Sequence, residues 1–96
     1  MLHLVNKSPY DACNLDSASS MMKGDDALLL IEDAVYAAVK NGKAAAGLAG
    51  LKVTVLGPDL AARGIGEDKL IDGVTVVDYA GFVDMVEAND KVQSWL

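Results

Sequence analysis

The sequence predicts an α/β protein whose mainly parallel β-sheet is covered by helices on both faces. The first observation is the segment ALLLIED at residues 27–33, in which five apolar residues precede two carboxylates. An unbroken apolar run of this length is typical of a central strand that is buried on both faces. The second observation is the alternation of short apolar runs with helical patterns along the chain. This alternation predicts a parallel sheet with right-handed crossovers.

The predicted elements follow the order β-α-β-α-β-(α)-β-α. Strands are expected at residues 2–6, within 27–33, at 51–56 and at 74–77. Helices are expected at 15–23, capped by Asn14 or Asp16, and at 33–40, capped by Asp33. Residues 43–50 and 67–73 each fit either a short helix or a less regular connection.

Two further helices have clear starts. Pro58 lies at the first turn of a short helix that follows the third strand, where its missing N–H costs nothing. Asp78 caps the best-patterned helix, in which apolar residues recur with helical spacing at positions 79, 82, 83 and 86.

Length and composition limit the function classes. The 96 residues suffice for one domain, residues 1–96, with a small core. The net charge of −6 provides no basic face, so we expect no direct nucleic-acid binding by this chain. One cysteine and one histidine exclude an internal disulfide and make a zinc site improbable. We expect no cofactor, no membrane segment and no secretory signal, and hence a soluble cytoplasmic protein.

Cys13 is the first candidate for chemistry. It lies in a polar loop just before a predicted helix N-terminus, where the helix dipole favours the thiolate. Such a thiol can accept sulfur or form a mixed disulfide. The alternative is an incidental cysteine, because no CxxC motif or Cys–His–Asp set accompanies it.

The other polar candidates have structural interpretations. His3, in the first strand, is interpreted as a packed residue with one satisfied nitrogen. Glu32 and Asp33 lie at the carboxyl end of a strand, where ligands bind in α/β sheets. Asp33 and Asp78 are interpreted as helix caps rather than bases. The glycines of residues 64–66 lack the spacing of a phosphate-binding fingerprint.

Trp95 and Leu96 are two large apolar residues at the end of a charged tail. Such residues need something to bury them. Two interpretations stay open: they fold back onto their own domain, or they dock on another subunit.

Four segments of the sequence resemble the DsrH/TusB family, with features closer to DsrH. They are MLHLVNKSP, LLLIEDAVYAAV, VLGPDLAARG and VDYAGFVDMVEANDKVQSWL, and together they extend over nearly the whole chain in order. The resemblance implies a small DsrE-like fold, a flavodoxin-like three-layer arrangement. It also implies assembly with homologous DsrE/TusD-like and DsrF/TusC-like subunits into a heterohexamer with two copies of each.

Complexes of this family relay persulfide sulfur, either in sulfur oxidation or toward 2-thiouridine in the tRNA wobble position. The resemblance implies that the main sulfur-accepting cysteine belongs to the DsrE/TusD-type subunit. The family's own helix cysteine falls on Ala18 here, five residues after Cys13. Two hypotheses follow: Cys13 carries sulfur by persulfide exchange, or this chain is a purely structural interaction subunit. An independent homo-oligomer without sulfur chemistry is a third.

Overall fold

The computed structural model describes residues 1–10, 14–48 and 50–95. It contains five strands and three α-helices within these residues, together with three 3₁₀ segments. The strands are β1 (Leu2–Val5), β2 (Ala27–Leu30), β3 (Lys52–Leu56), β4 (Thr75–Val77) and β5 (Val92–Trp95). The α-helices are α1 (Asn14–Met21), α2 (Gly57–Ala62) and α3 (Tyr79–Ala88). The 3₁₀ segments are Glu32–Ala38, Lys43–Leu48 and Glu67–Lys69.

The sheet has the order β4-β3-β2-β1-β5, and every neighbouring pair is parallel. β2 lies at its centre, as the apolar run at residues 27–33 predicts. Leu28, Leu29 and Leu30 have no exposed surface, so this strand is covered on both faces. The predicted α/β fold with a parallel sheet between helices is therefore confirmed.

The strand order explains why the two faces of the sheet are covered unequally. From β1 to β4 the chain advances in one direction across the sheet, and then α3 returns it to β5 on the far side of β1. Right-handed crossovers put connections that run in opposite directions on opposite faces. The connections between β1 and β4 therefore lie on one face. The larger core cluster on that face contains Leu15 of α1, Val35 of the 3₁₀ segment Glu32–Ala38, and Leu60 of α2.

The smaller core cluster lies on the other face, where α3 is the covering helix. It consists of Leu2, Leu4 and Leu29, with Phe82 and other side chains of α3 packed against it. Every side chain of α3 keeps some exposed surface. This face of the sheet is therefore the thinly covered one.

Three details differ from the expectations. The segment predicted as a helix at 33–40 is the 3₁₀ helix Glu32–Ala38, because an apolar stripe over two turns does not distinguish the two helix types. Asp33 is not its cap, since the capping position is Ile31 and no side chain bonds there. The tail contains β5, a strand that its polar residues Gln93 and Ser94 concealed.

No helix in the described part of the chain is both long and apolar enough to span a bilayer.

Candidate functional site

The carboxyl edge of the sheet is the first place to look for a site, since parallel sheets bind ligands there. Asn6 follows β1, Glu32 comes shortly after β2, and Asp59 lies just beyond β3. The Asn6 amide nitrogen donates to Glu32 Oε2 at 3.2 Å. The backbone N–H of Glu32 donates to Asp59 Oδ2 at 2.6 Å. The ends of three neighbouring strands are thus tied together.

The backbone of Glu32 is in an uncommon conformation. Its φ of 49° lies in the left-handed region, where a residue with a side chain is strained. The short hydrogen bond that the Glu32 N–H donates to Asp59 compensates for this strain. Next to it, Asn6 Oδ1 is buried and has no hydrogen-bond donor within the described residues. An unsatisfied buried acceptor lowers the free energy of unfolding by about 1–3 kcal/mol. The backbone of Glu32 and the Oδ1 atom of Asn6 are therefore two destabilising features of this edge.

The other carboxylates of this edge have structural partners. Both Nε and Nη2 of Arg63 lie 2.9 Å from Asp33 Oδ1, so Asp33 is an ion-pair partner and its predicted role as a helix cap is wrong. Asp78 Oδ1 accepts the N–H of Gly81 at 2.8 Å, and its predicted role as the cap of α3 is confirmed. Each of these carboxylates is thus engaged by a side-chain or backbone donor of the same chain.

Cys13 and Leu96 lie outside the described residues, so their roles stay predictions. In the sequence, Cys13 directly precedes α1. Ala18, the position of the family's helix cysteine, has no exposed surface and belongs to the larger core cluster. A thiol at position 18 would be buried within this chain.

A second cluster lies at the opposite end of β1 and joins His3, Asp26 and Trp95. His3 is 2 % exposed, and its Nε2 lies 3.1 Å from Asp26 Oδ2. The indole N–H of Trp95 donates to His3 Nδ1 at 3.1 Å. Both ring nitrogens are engaged, one more than the sequence suggested. The register between β1 and β5 explains the contact, because His3 pairs with Gln93 and Val5 with Trp95 on the same face of the sheet.

Asp26 is the acceptor at the centre of this cluster. It accepts the His3 ring, the backbone N–H of Lys23 at 3.0 Å and the N-terminal ammonium of Met1 at 3.0 Å. These hydrogen bonds, His3 first, lower the pKa of the Asp26 carboxyl from 3.8 to about 2. Asp26 is therefore ionised at every pH at which the protein is expected to work.

A cleft of about 410 Å³ opens beside this cluster. It is lined by Met1, His3, Met21, Lys23, Asp26, Gln93 and Trp95. The side chain of Trp95 is half-buried, so it folds back onto its own chain in part, as one of the two interpretations expects. Its remaining surface faces this region of the molecule, where Met21 is also 56 % exposed.

Comparison with known proteins shows what the chain is related to. The family model described as "DsrH like protein" matches residues 7–92. The chain belongs to this family. Protein TusB of Pectobacterium parmentieri is 35% identical over 99% of this chain and all of its own length, and Protein TusB of Photorhabdus laumondii is 31% identical over the same shares. The resemblance to the DsrH/TusB family is therefore confirmed.

The DsrH-family chain also resembles a solved structure in its fold. The crystal structure of the ychN protein from E. coli superimposes with a TM-score of 0.79 and covers 97% of each chain, at 23% identity. Within the described residues of this DsrH-family chain, no three His, Cys, Asp or Glu side chains form a group that could hold a metal ion.

The sequence alone pointed to only part of this geometry. Glu32, Asp33 and Asp78 were placed correctly at the carboxyl edge by their positions after strands. Asn6 and Asp59 were missed as members of the edge, although both also follow strands. Asp26 was missed as the partner of His3, and no local pattern links these two residues.

Proposed function

We propose that this chain is a subunit of a sulfur-relay complex resembling DsrEFH and TusBCD. The observation that carries the proposal is its membership of the DsrH family over residues 7–92, with TusB relatives that match along their full length. The partners would be homologous DsrE/TusD-like and DsrF/TusC-like proteins, with two copies of each of the three subunits, in the cytoplasm. The pathway served is sulfur oxidation or the synthesis of 2-thiouridine in tRNA.

Within such a complex the chemistry of this chain would be persulfide exchange at Cys13. The Cys13 thiolate attacks the outer sulfur of a donor persulfide, a new S–S bond forms, and the donor leaves as a thiolate. The persulfide on Cys13 then passes its outer sulfur to the next thiolate in the same way. The thiolate is the reactive form, and a position just before a helix N-terminus favours it.

The test is sulfur flow through the reconstituted complex. Cys13→Ser should slow transfer from a persulfidated donor to the final acceptor, and mass spectrometry of the wild-type chain should find one added sulfur atom on Cys13. The matched control is Ser17→Ala, which removes a small polar side chain from α1. Unchanged transfer in Cys13→Ser, with a normally assembled complex, would remove Cys13 from the relay.

A second candidate function is that of a purely structural interaction subunit. Two observations favour it. The carboxylates of the sheet edge are engaged by Asn6, Arg63 and backbone N–H groups. On the thinly covered face, Tyr79 is 63 % exposed and Val83 is 50 % exposed, so α3 presents apolar surface that a partner would bury.

The two proposed functions predict different effects of the same substitutions. A structural subunit should lose its partners when Val83 is changed to Glu or when residues 95–96 are deleted, while Cys13→Ser has no effect on sulfur flow. Asp84→Ala on the same helix is the control for the first of these changes. Intact assembly in both altered chains would contradict the interface that we propose at α3 and at Trp95 and Leu96.

A further inference from the structure

The protein's single histidine is buried between two partners that come from distant parts of the chain. His3 is 2 % exposed and lies in β1. One ring nitrogen contacts Asp26, just before β2, and the other contacts Trp95, the last residue of the edge strand β5. The ring planes are inclined by 23° and the centroids lie 6.3 Å apart, so the two rings meet at their nitrogen-bearing edges.

The chemistry of the partners fixes the protons on the His3 ring. An indole N–H is a donor and never an acceptor, so Nδ1 must offer a lone pair to Trp95. The ring proton then lies on Nε2, where it is donated to the Asp26 carboxylate. The observed arrangement, assigned from its hydrogen bonds, therefore requires a neutral imidazole of this one tautomer.

A proton added to Nδ1 is incompatible with this arrangement. In the imidazolium both nitrogens are donors. The bond to Asp26 would persist and become an ion pair. The contact with Trp95 would become two N–H groups pointed at each other across 3.1 Å, so the indole has to move. Protonation of His3 and the seating of Trp95 thus exclude each other.

We propose that His3 is a proton-operated latch for β5, which holds Trp95 while neutral and releases it on protonation. Trp95 is the only residue of β5 that is not largely exposed, so its indole is the main side-chain anchor of this strand. β5 pairs with β1 at the edge of the sheet. The cleft of about 410 Å³ beside it provides the space into which the indole can turn.

The charged groups around His3 do not obscure a measurement of its protonation. Asp26, with its pKa of about 2, stays ionised and faces Nε2 from the start of β2. The Met1 ammonium is bound to the other oxygen of Asp26, and the Lys23 side chain at the end of α1 lines the cleft. β5 itself has no ionisable side chain, and Lys91 before it contributes a backbone carbonyl to Leu2. His3 is thus the ionisable side chain that is hydrogen-bonded to the Trp95 indole.

The chain is suited to a direct test because its 96 residues contain one histidine and one tryptophan. The His3 ring is followed by NMR, and Trp95 by its emission maximum and by acrylamide quenching, over the same pH range. We expect the emission to shift to longer wavelength and quenching to increase in step with protonation of the ring. Emission intensity is not used, since an imidazolium quenches indole by itself.

Two variants and one control decide the outcome. His3→Asn keeps an acceptor and a donor but cannot titrate, so the pH-dependent change at Trp95 should vanish. Trp95→Phe removes the indole donor, so the midpoint of the His3 titration should move to higher pH by about half a unit, roughly a threefold change in the protonation equilibrium. Tyr79→Phe, on the exposed side of α3, should change neither.

The latch is refuted if the emission of Trp95 ignores protonation of His3, or if the change persists in His3→Asn. An unchanged midpoint of the His3 titration in Trp95→Phe would refute it as well. Failure of the His3 ring to take up a proton at any pH at which the chain stays folded would also overturn it. None of these results depends on the sulfur-relay proposal.

Discussion

Asp59→Ala should destabilise the protein because it removes the group that holds Glu32 in its left-handed conformation. The side chain of Asp59 is 17 % exposed and accepts the Glu32 N–H at 2.6 Å. A hydrogen bond to a charged group contributes about 1.5–3 kcal/mol. The contact of Asp59 with Arg63, at 4.0 Å, adds about 0.5 kcal/mol or less. We therefore expect a loss of about 2–3 kcal/mol in the free energy of unfolding.

The loss should be visible in urea unfolding and as a fall in Tm of about 10–20 °C, given the usual entropy of unfolding for a chain of this size. Asp59→Asn keeps an acceptor oxygen and should lose less. Glu32→Gly added to Asp59→Ala should restore at most about 0.5 kcal/mol. Glycine adopts a φ of 49° without a clash, but its unfolded state is more flexible and it lacks the carboxylate that accepts from Asn6.

Asp84→Ala, an exposed change on α3, provides the control and should stay within about 0.5 kcal/mol of the wild type. A loss below about 0.5 kcal/mol in Asp59→Ala would refute the reasoning.

Three further variants test other parts of the structure by urea unfolding. The pKa of Asp26 is lowered to about 2, so this carboxylate stabilises the fold above about pH 3.8, and that stabilisation is lost as the pH falls from 3.8 to 2. The free energy of unfolding should therefore fall less steeply over this range in Asp26→Asn than in the wild type; equal slopes would contradict the assignment. Leu29→Ala removes a fully buried side chain from the smaller core cluster and should cost about 2–5 kcal/mol, whereas a cost under 1 kcal/mol would mean that this cluster is not packed as described. Asp78→Ala removes the cap of α3 and should cost about 1 kcal/mol, with Asp78→Ser close to the wild type; equal losses in both would point away from capping.

The central part of the fold was predictable because its signal is local. The apolar run at residues 27–33 predicted β2, and the structure buries Leu28, Leu29 and Leu30 completely. Asp78 was predicted as a cap from its position before an apolar helical pattern, and its side chain does accept the N–H of Gly81. In both places, neighbouring residues alone determine the structure.

The features that the sequence did not predict depend on pairing between distant segments. β5 is short and three of its four residues are exposed, so no apolar run in the sequence predicts this strand. Its partner β1 lies at the other end of the chain, and the contact of Trp95 with His3 spans 92 positions. Asp33 was predicted to be a helix cap because it follows a strand, but its carboxylate forms an ion pair with Arg63 at the end of α2. Parallel pairing of this kind has no local pattern that fixes it.

The proposed function requires that this chain be one of three different subunits of a relay complex. The most direct measurement is native mass spectrometry of the chain co-expressed with a DsrE/TusD-like and a DsrF/TusC-like protein. We expect a heterohexamer with two copies of each subunit. A homomer of this chain alone, in the presence of both partners, would contradict it.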